Sequence, residues 1–306
     1  MEINLSVKLG RLELKTPVLV ASGTFGYGEE YAKLIDLNKL GGIVVKGTSL
    51  KPKRGNPPPR LAEVPCGLLN AIGLENIGVE KFIKEKLPFL KRFDTKIIVN
   101  IFGFTVEEYA ILAEKLDNVG IDALEINVSC PNIEAGGKSF GTDPEMVSKI
   151  TKAVREKTNL PLFVKLPPQV TDIVILAKAA VSSGADGVSL INSFPAMAID
   201  IHTRKPKLGN VTGGLSGPCL KPIALKMVWE VVKTLSIPVM GIGGIMTAED
   251  ALEYLIAGAK AIQIGTANFL NPFTAIEVTE GIKNYLKNYN LKDINNLINS
   301  LKVEEN

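Results

Sequence analysis

Short, nearly unbroken apolar runs recur eight times along the chain: residues 17–21 (PVLVA), 42–46 (GIVVK), 96–101 (KIIVNI), 123–128 (ALEINV), 161–166 (PLFVKL), 186–191 (DGVSLI), 237–242 (IPVMGI) and 260–265 (KAIQIG). A strand with one wet face alternates apolar and polar residues, whereas continuous apolar runs suit parallel strands covered on both faces. Helical patterns fill the intervals. Thr105-Val-Glu-Glu108 reads as a capping box, in which the threonine oxygen and the glutamate satisfy free backbone N–H groups, opening a helix towards Gly120. Asp143 before Pro144 places an N-cap ahead of a proline in the first turn. Thr247-Ala-Glu-Asp250 opens another helix, closed by Gly258. Eight strands alternating with helices, without a linker or composition break, predict one domain over residues 1–306: α/β, a (β/α)8 TIM barrel. A hydrophobic content of 46% is enough to fill such a core.

Two terminal segments stand outside this repeat. Residues 5–14 around Gly10 read as an N-terminal β-hairpin set against the barrel bottom, and the Lys/Asn-rich tail after about Leu286 reads as amphipathic helix with frayed ends. The spacing is also uneven, with long loops after strand two (47–74) and strand six (192–217). Loops that long in a compact fold serve as lids or binding loops. These two leave the C-terminal face, where barrel enzymes keep their chemistry.

Polar residues close the apolar runs. Ser22, Lys46, Asn100, Asn127, Lys165 and Asn192 each fall at or just past the end of a different strand. Any one of them could simply satisfy loop carbonyls; six at one mouth form a donor-rich site suited to an anionic, carbonyl-bearing ligand. Strands seven and eight end instead in Gly241-Ile-Gly-Gly244 and Gly265-Thr266. Glycines there permit tight turns and also expose the backbone N–H groups that bind phosphate in this fold. Cys130, two residues past the fourth run and followed by Gly136-Gly137, is either buried filler or a working thiol, and its place at the mouth favours the thiol. Cys66 and Cys219 lack such a position and are expected to be structural, and His202 to be a surface residue.

Other classes are disfavoured. A net charge of +3, from 35 basic and 32 acidic residues, gives no clustered basic surface, so nucleic acid is not expected as a partner. No apolar leader or membrane-length run is present, and three widely spaced cysteines suit a reducing compartment, so a cytoplasmic location is expected. Without a Walker A, H-E-x-x-H or Cys/His cluster, no protein-bound metal is expected.

The motifs ASGTFGYG (21–28), VKGTSLKPKRGNPPPRLAE (45–63), LLNAIGLENIG (68–78), NVSCPN (127–132), GGLSGPCLKPIALKMV (213–228), IGGIMTAEDALEYLIAGA (242–259) and IGTANFLNPF (264–273), in this order over almost the whole chain, resemble the class 1 dihydroorotate dehydrogenases. Within that class the chain is most similar to the NAD-linked class 1B catalytic subunits. The resemblance implies a flavoenzyme of pyrimidine (UMP) biosynthesis that oxidises dihydroorotate to orotate. FMN would be held by Ser22, Lys46, Gly47, Asn100, Asn127, Lys165, Ile191 and Gly217, with its phosphate on Gly243, Gly244, Gly265 and Thr266. Dihydroorotate would contact Lys46, Asn70, Ala71, Ile72, Gly73, Leu74, Asn127, Asn192 and Ser193, with Cys130 as the base that takes a proton from C5. A thiol titrating ordinarily near 8.5 can act as a base at neutral pH once modestly activated. Two positions depart from the family pattern: Ser193 stands where a threonine is expected, and Cys219 where a small residue such as alanine is usual.

The chain has no second nucleotide-binding domain and no cysteine cluster for an iron–sulfur centre, so it is not expected to reduce NAD alone. Class 1B resemblance implies a separate electron-transfer subunit carrying FAD and a 2Fe-2S cluster, in a heterotetramer of two catalytic and two partner chains. A fumarate-using class 1A homodimer is the alternative within the family. Outside it stand a Schiff-base barrel lyase working through Lys165 or Lys46, and a noncatalytic flavin-binding subunit. The quinone-linked class is set aside, because it carries a membrane-associating N-terminal segment and a serine base.

Overall fold

The computed structural model describes residues 3–129 and 140–303. All eight predicted strands form within it: Val18–Val20, Gly42–Thr48, Lys96–Ile101, Ala123–Asn127, Leu162–Leu166, Gly187–Leu190, Val239–Ile242 and Ala261–Ile264, called barrel strands one to eight below. Each is parallel to its neighbours, and strand eight returns to strand one with Ile262 opposite Val18, closing the barrel. Closure leaves no barrel strand with an unpaired edge, and burial on both faces explains the unbroken apolar runs. Strand one and the stretch Ile43, Val44 and Val45 of strand two are wholly buried.

Helices cover the outside with one apolar stripe each. In Pro144–Arg155 the buried positions Val147, Ile150, Thr151 and Val154 keep the i, i+3, i+4, i+7 spacing of a single face. Its N-cap forms as predicted, with Glu145 N–H donating to Asp143 at 2.9 Å. The Thr247 capping box also forms: the helix Ala248–Ile256 starts with Asp250 and Thr247 exchanging hydrogen bonds, and Gly258 follows at φ +108°. The predicted box at Thr105 forms only in half. Thr105 accepts from the Glu108 N–H, but the Glu108 carboxylate takes the N–H of Phe104 at 2.6 Å. That helix, Val106–Leu116, stops well before Gly120. The crossover from strand one to strand two has no long helix either. Two single turns, Tyr31–Lys33 and Leu37–Lys39, span it, because the glycine-rich stretch 21–28 offers no helical stripe.

The N-terminal hairpin pairs Val7–Leu9 with Leu12–Leu14 across Gly10, which takes φ +59°. Its alternation buries Val7, Leu9, Leu12 and Leu14, and Arg11 reaches Asp186, just before strand six, at 3.4 Å. The hairpin therefore covers the N-terminal end of the barrel. The tail does not continue as helix. Thr274–Asn288 ends where Asn290 adopts φ +56°, and the chain turns back so that Asp293 bridges Asn4. The apolar residues Ile294, Leu297 and Ile298 are buried from this irregular segment, which Asn299 and Leu301 tie to the end of helix Ala248–Ile256 through Leu255 and Ile256.

The two long loops meet over the opposite end. They build a four-stranded antiparallel sheet in the order Phe194–Ala196, Gly213–Ser216, Gly67–Asn70, Leu61–Val64, with Asn70 opposite Gly214. This lid sheet joins the loop after strand two to the loop after strand six. Among the described residues no helix is long and apolar enough to cross a membrane.

Candidate active site

Between the C-terminal mouth of the barrel and the lid sheet lies a cavity of about 400 Å³, within the range of small-molecule pockets. All the predicted site residues that are described line it. Asn100 and Lys165 form its floor; Lys46, Gly47 and the run Asn70, Ala71, Ile72, Gly73 and Leu74 form one wall; Asn127, Ile191, Asn192 and Ser193 form another. Ser22, Gly217, Gly243, Gly244, Gly265 and Thr266 complete the far side. Cys130 lies outside the described residues.

Strands three to six supply side chains. The Asn192 amide donates to Asn127 Oδ1 at 3.2 Å and to Ser129 Oγ at 2.8 Å, while its own oxygen accepts the Ser193 N–H at 2.8 Å. This chain of amides orients Asn127, whose backbone carbonyl is held by the Tyr109 hydroxyl at 2.7 Å. Backbone bonds from Ile191 to Ile242 and from Asn192 to Leu166, each 3.0 Å, set the loop after strand six between strands five and seven. The Leu190–Ile191 peptide is cis. Lys165, 5% exposed, reaches across the mouth to Ser22 Oγ at 3.3 Å. Lys46 Nζ has no hydrogen-bond or ion-pair partner among the described residues, so its donors are free for a ligand in the cavity.

Below this floor lies a group that the sequence reading missed. Glu125 is fully buried inside the barrel. Its Oε1 accepts from the Asn100 amide at 2.7 Å and its Oε2 from the Gln263 amide at 2.7 Å, with Lys165 Nζ 3.9 Å from Oε1. A buried carboxylate is costly unless paired and hydrogen-bonded. Here two of its three partners, the Asn100 amide and the Lys165 ammonium, belong to the floor, and the third is Gln263. The signal was present: Glu125 interrupts an apolar run two positions before Asn127, hence on the same face.

Strands seven and eight present backbone instead. Gly243 and Gly244 take φ +137° and +67°, in the region where a Cβ is disfavoured. A Cβ on Gly244 would come within 2.8 Å of Lys221, whereas one on Gly265 would touch only Ala21 at 3.7 Å and Thr24 at 4.0 Å and would project into the cavity. The cradle is pinned from outside by the Tyr254 hydroxyl, which donates to the Gly243 carbonyl at 2.7 Å, and burial pushes that hydroxyl far above its usual titration range. Thr266 donates to Ser216 Oγ at 2.8 Å, linking the loop after strand eight to the lid sheet. The short helix Ala267–Leu270 follows directly, as expected for a phosphate-binding end of this fold.

The family model for dihydroorotate dehydrogenase matches residues 4–286. A protein of Thermodesulfovibrio yellowstonii named dihydroorotate dehydrogenase B (NAD(+)), catalytic subunit, is 59% identical over 97% of this chain and 99% of its own length. Proteins of the same name from Thermoanaerobacter sp. strain X514 and Geotalea daltonii are 57% and 53% identical, over 99% and 98% of this chain and 100% and 99% of their own lengths.

Proposed function

The chain belongs to the dihydroorotate dehydrogenase family, and from that premise we propose that it oxidises dihydroorotate to orotate in pyrimidine synthesis. The family is flavin-dependent, and FMN is the flavin this cavity suits. The observation that carries the reading is the cavity's two unlike poles: a glycine cradle that a Cβ on Gly265 would fill, and a floor of lysine and amide donors under a separate lid. The first pole is complementary to a phosphate, the second to a planar, carbonyl-rich ring. Gly243, Gly244, Gly265 and Thr266 would hold the phosphate, and Ser22, Lys46, Gly47, Asn100, Asn127, Lys165, Ile191 and Gly217 the rest of FMN. When bound, FMN would supply the acceptor for the hydride that leaves C6 of the substrate.

The chain's own residues perform the remainder. Lys46 would fix the substrate carboxylate, since its ammonium has no other partner among the described residues. Asn127, Asn192, Ser193 and the segment 70–74 would hold the ring amides beneath the lid. Cys130 would accept the C5 proton. Lys165 would place positive charge against the ring end, where negative charge accumulates during the reaction, an electrostatic contribution that does not require the lysine to move. Buried Glu125 would hold that lysine in place. The curated relatives are named catalytic subunits. On this reading electrons pass on to NAD through a second subunit carrying FAD and a 2Fe-2S cluster, in an assembly of two catalytic and two partner chains.

The test begins with the purified chain and its visible spectrum, followed by dihydroorotate added without oxygen. Bleaching of a bound flavin is expected; NAD and fumarate offered afterwards, with and without a partner subunit, identify the acceptor. A colourless chain that cannot be reconstituted with FMN would overturn the reading, and trapping of substrate on Lys165 or Lys46 by borohydride would replace it with Schiff-base chemistry.

A further inference from the structure

Cys66 and Cys219, both expected from sequence to be structural, meet in the fold. Cys66 sits in the tight turn between lid strands Leu61–Val64 and Gly67–Asn70, at φ +56°. Cys219 lies in the turn Pro218–Leu220, directly after Gly217. The Cys219 N–H donates to the Cys66 carbonyl at 3.1 Å. A single main-chain bond of this kind brings two Cα atoms within roughly 5–6.5 Å, inside the window of about 4.4–6.8 Å that a disulfide requires. The Cys219 sulfur points toward the same turn, since a Cβ built on Gly67 would lie 3.0 Å from it. The approach depends on glycine on both sides: a Cβ on Gly217 would come within 2.9 Å of Gly67 Cα.

The two thiols are chemically unequal. Cys66 is exposed and open to reagents, whereas Cys219 is half-buried, with the Ser216 carbonyl 4.0 Å from its sulfur. Burial raises the Cys219 thiol above its usual value, and the nearby Cys66 sulfur, like-charged when both are ionised, adds to that. An exposed thiol that attacks first and a sheltered one that resolves is the arrangement thiol–disulfide exchange needs.

We propose that Cys66 and Cys219 form a reversible disulfide site, a clasp between the lid sheet and the loop that carries Gly217. A low-molecular-weight disulfide is the oxidant. The Cys66 thiolate attacks one of its sulfurs, a mixed disulfide forms, and one small thiolate leaves. The Cys219 thiolate then attacks the Cys66 sulfur, the protein disulfide forms, and the second small thiolate leaves. The two protons lost by the protein pass through solvent to the two departing thiolates, so two protein thiols are oxidised as one small disulfide is reduced. The closed clasp fixes strand Gly67–Asn70, and with it the start of the segment 70–74, to Gly217. The proposal stands independently of the flavin reading.

The full-length chain is incubated with oxidised glutathione, quenched with acid and an alkylating agent, and mapped by peptide mass. Cys66 and Cys219 are expected to leave the alkylated pool together, in one cross-linked peptide pair with the protein lighter by about 2 Da, and to return with dithiothreitol. In Cys219→Ala the same treatment is expected to stop at a glutathione adduct on Cys66. A wild-type chain that also stops at that adduct, reacts only at Cys130, or does not react at all overturns the proposal. Circular dichroism of both proteins before oxidation excludes misfolding as the cause of a difference.

Discussion

The two sides of the barrel mouth are built from different materials. Strands three to six offer polar side chains, tied to one another and to a buried carboxylate. The loops after strands seven and eight offer bare backbone, shaped by positive φ and by the absence of Cβ atoms. The first side sets charge and hydrogen-bonding identity; the second sets shape. They should therefore fail differently: chemistry or charge balance should suffer on the side-chain half, and cofactor retention on the backbone half.

The sharpest break is Cys130→Ala. Loss of a positioned base lowers turnover about 10²–10⁴-fold, and anaerobic stopped-flow reduction by dihydroorotate is expected to show this in a protein that keeps its flavin. Activity within a few-fold of the parent would remove Cys130 from the base role. Next is Glu125→Gln, which leaves Lys165 without the carboxylate 3.9 Å away. Breaking a buried pair by removing one partner costs about 3–5 kcal/mol. Denaturant unfolding is expected to report most of that loss while FMN still binds through its phosphate, and an unchanged midpoint would show that Lys165 does not depend on Glu125.

Gly244→Ala probes the other side. An alanine at φ +67° costs about 1–2 kcal/mol, in line with a roughly tenfold weaker grip on FMN. Fluorescence titration of the flavin-free protein measures this, and equal affinity would exclude Gly244 from the phosphate site. The smallest effect is expected at Asp250→Asn, in the frame behind the cradle, where Asp250 pairs with Lys221 at 2.7 Å. Burial alone would raise the Asp250 carboxyl, but Lys221 and the N–H groups of Met246 and Thr247 outweigh it and hold it below its usual value. A group depressed in the folded state contributes stability above its unfolded value, near 4, and loses it as pH falls through the folded value. Melting curves between pH 7 and pH 3 should therefore fall less steeply for Asp250→Asn, with a difference under about 1 kcal/mol at neutral pH. Parallel curves would deny the carboxyl that role.

The barrel was readable because strands buried on both faces leave unbroken apolar runs, and the mouth was readable because polar residues end those runs. Glu125 carried a signal that went unread, but its pairing with Gln263 carried none, because the two come from opposite sides of the barrel and lie 138 residues apart in sequence. A run buried on both faces does not say which face lines the barrel interior. The long loops were legible as functional, but their shared sheet rests on non-local pairings such as Asn70 with Gly214. The tail misled for a different reason. Its amphipathic pattern reports burial of Ile294, Leu297 and Ile298, which an irregular segment achieves as well as a helix does.

The pairing of strand eight with strand one bears on how the chain is made. Val18 leaves the ribosome early, and its partner Ile262 follows roughly 240 residues later. At about 5–20 residues per second, one flank of the first strand stays open for on the order of 10–50 s. During synthesis that flank is a sticky edge, and the last barrel strand to emerge is the one that seals it.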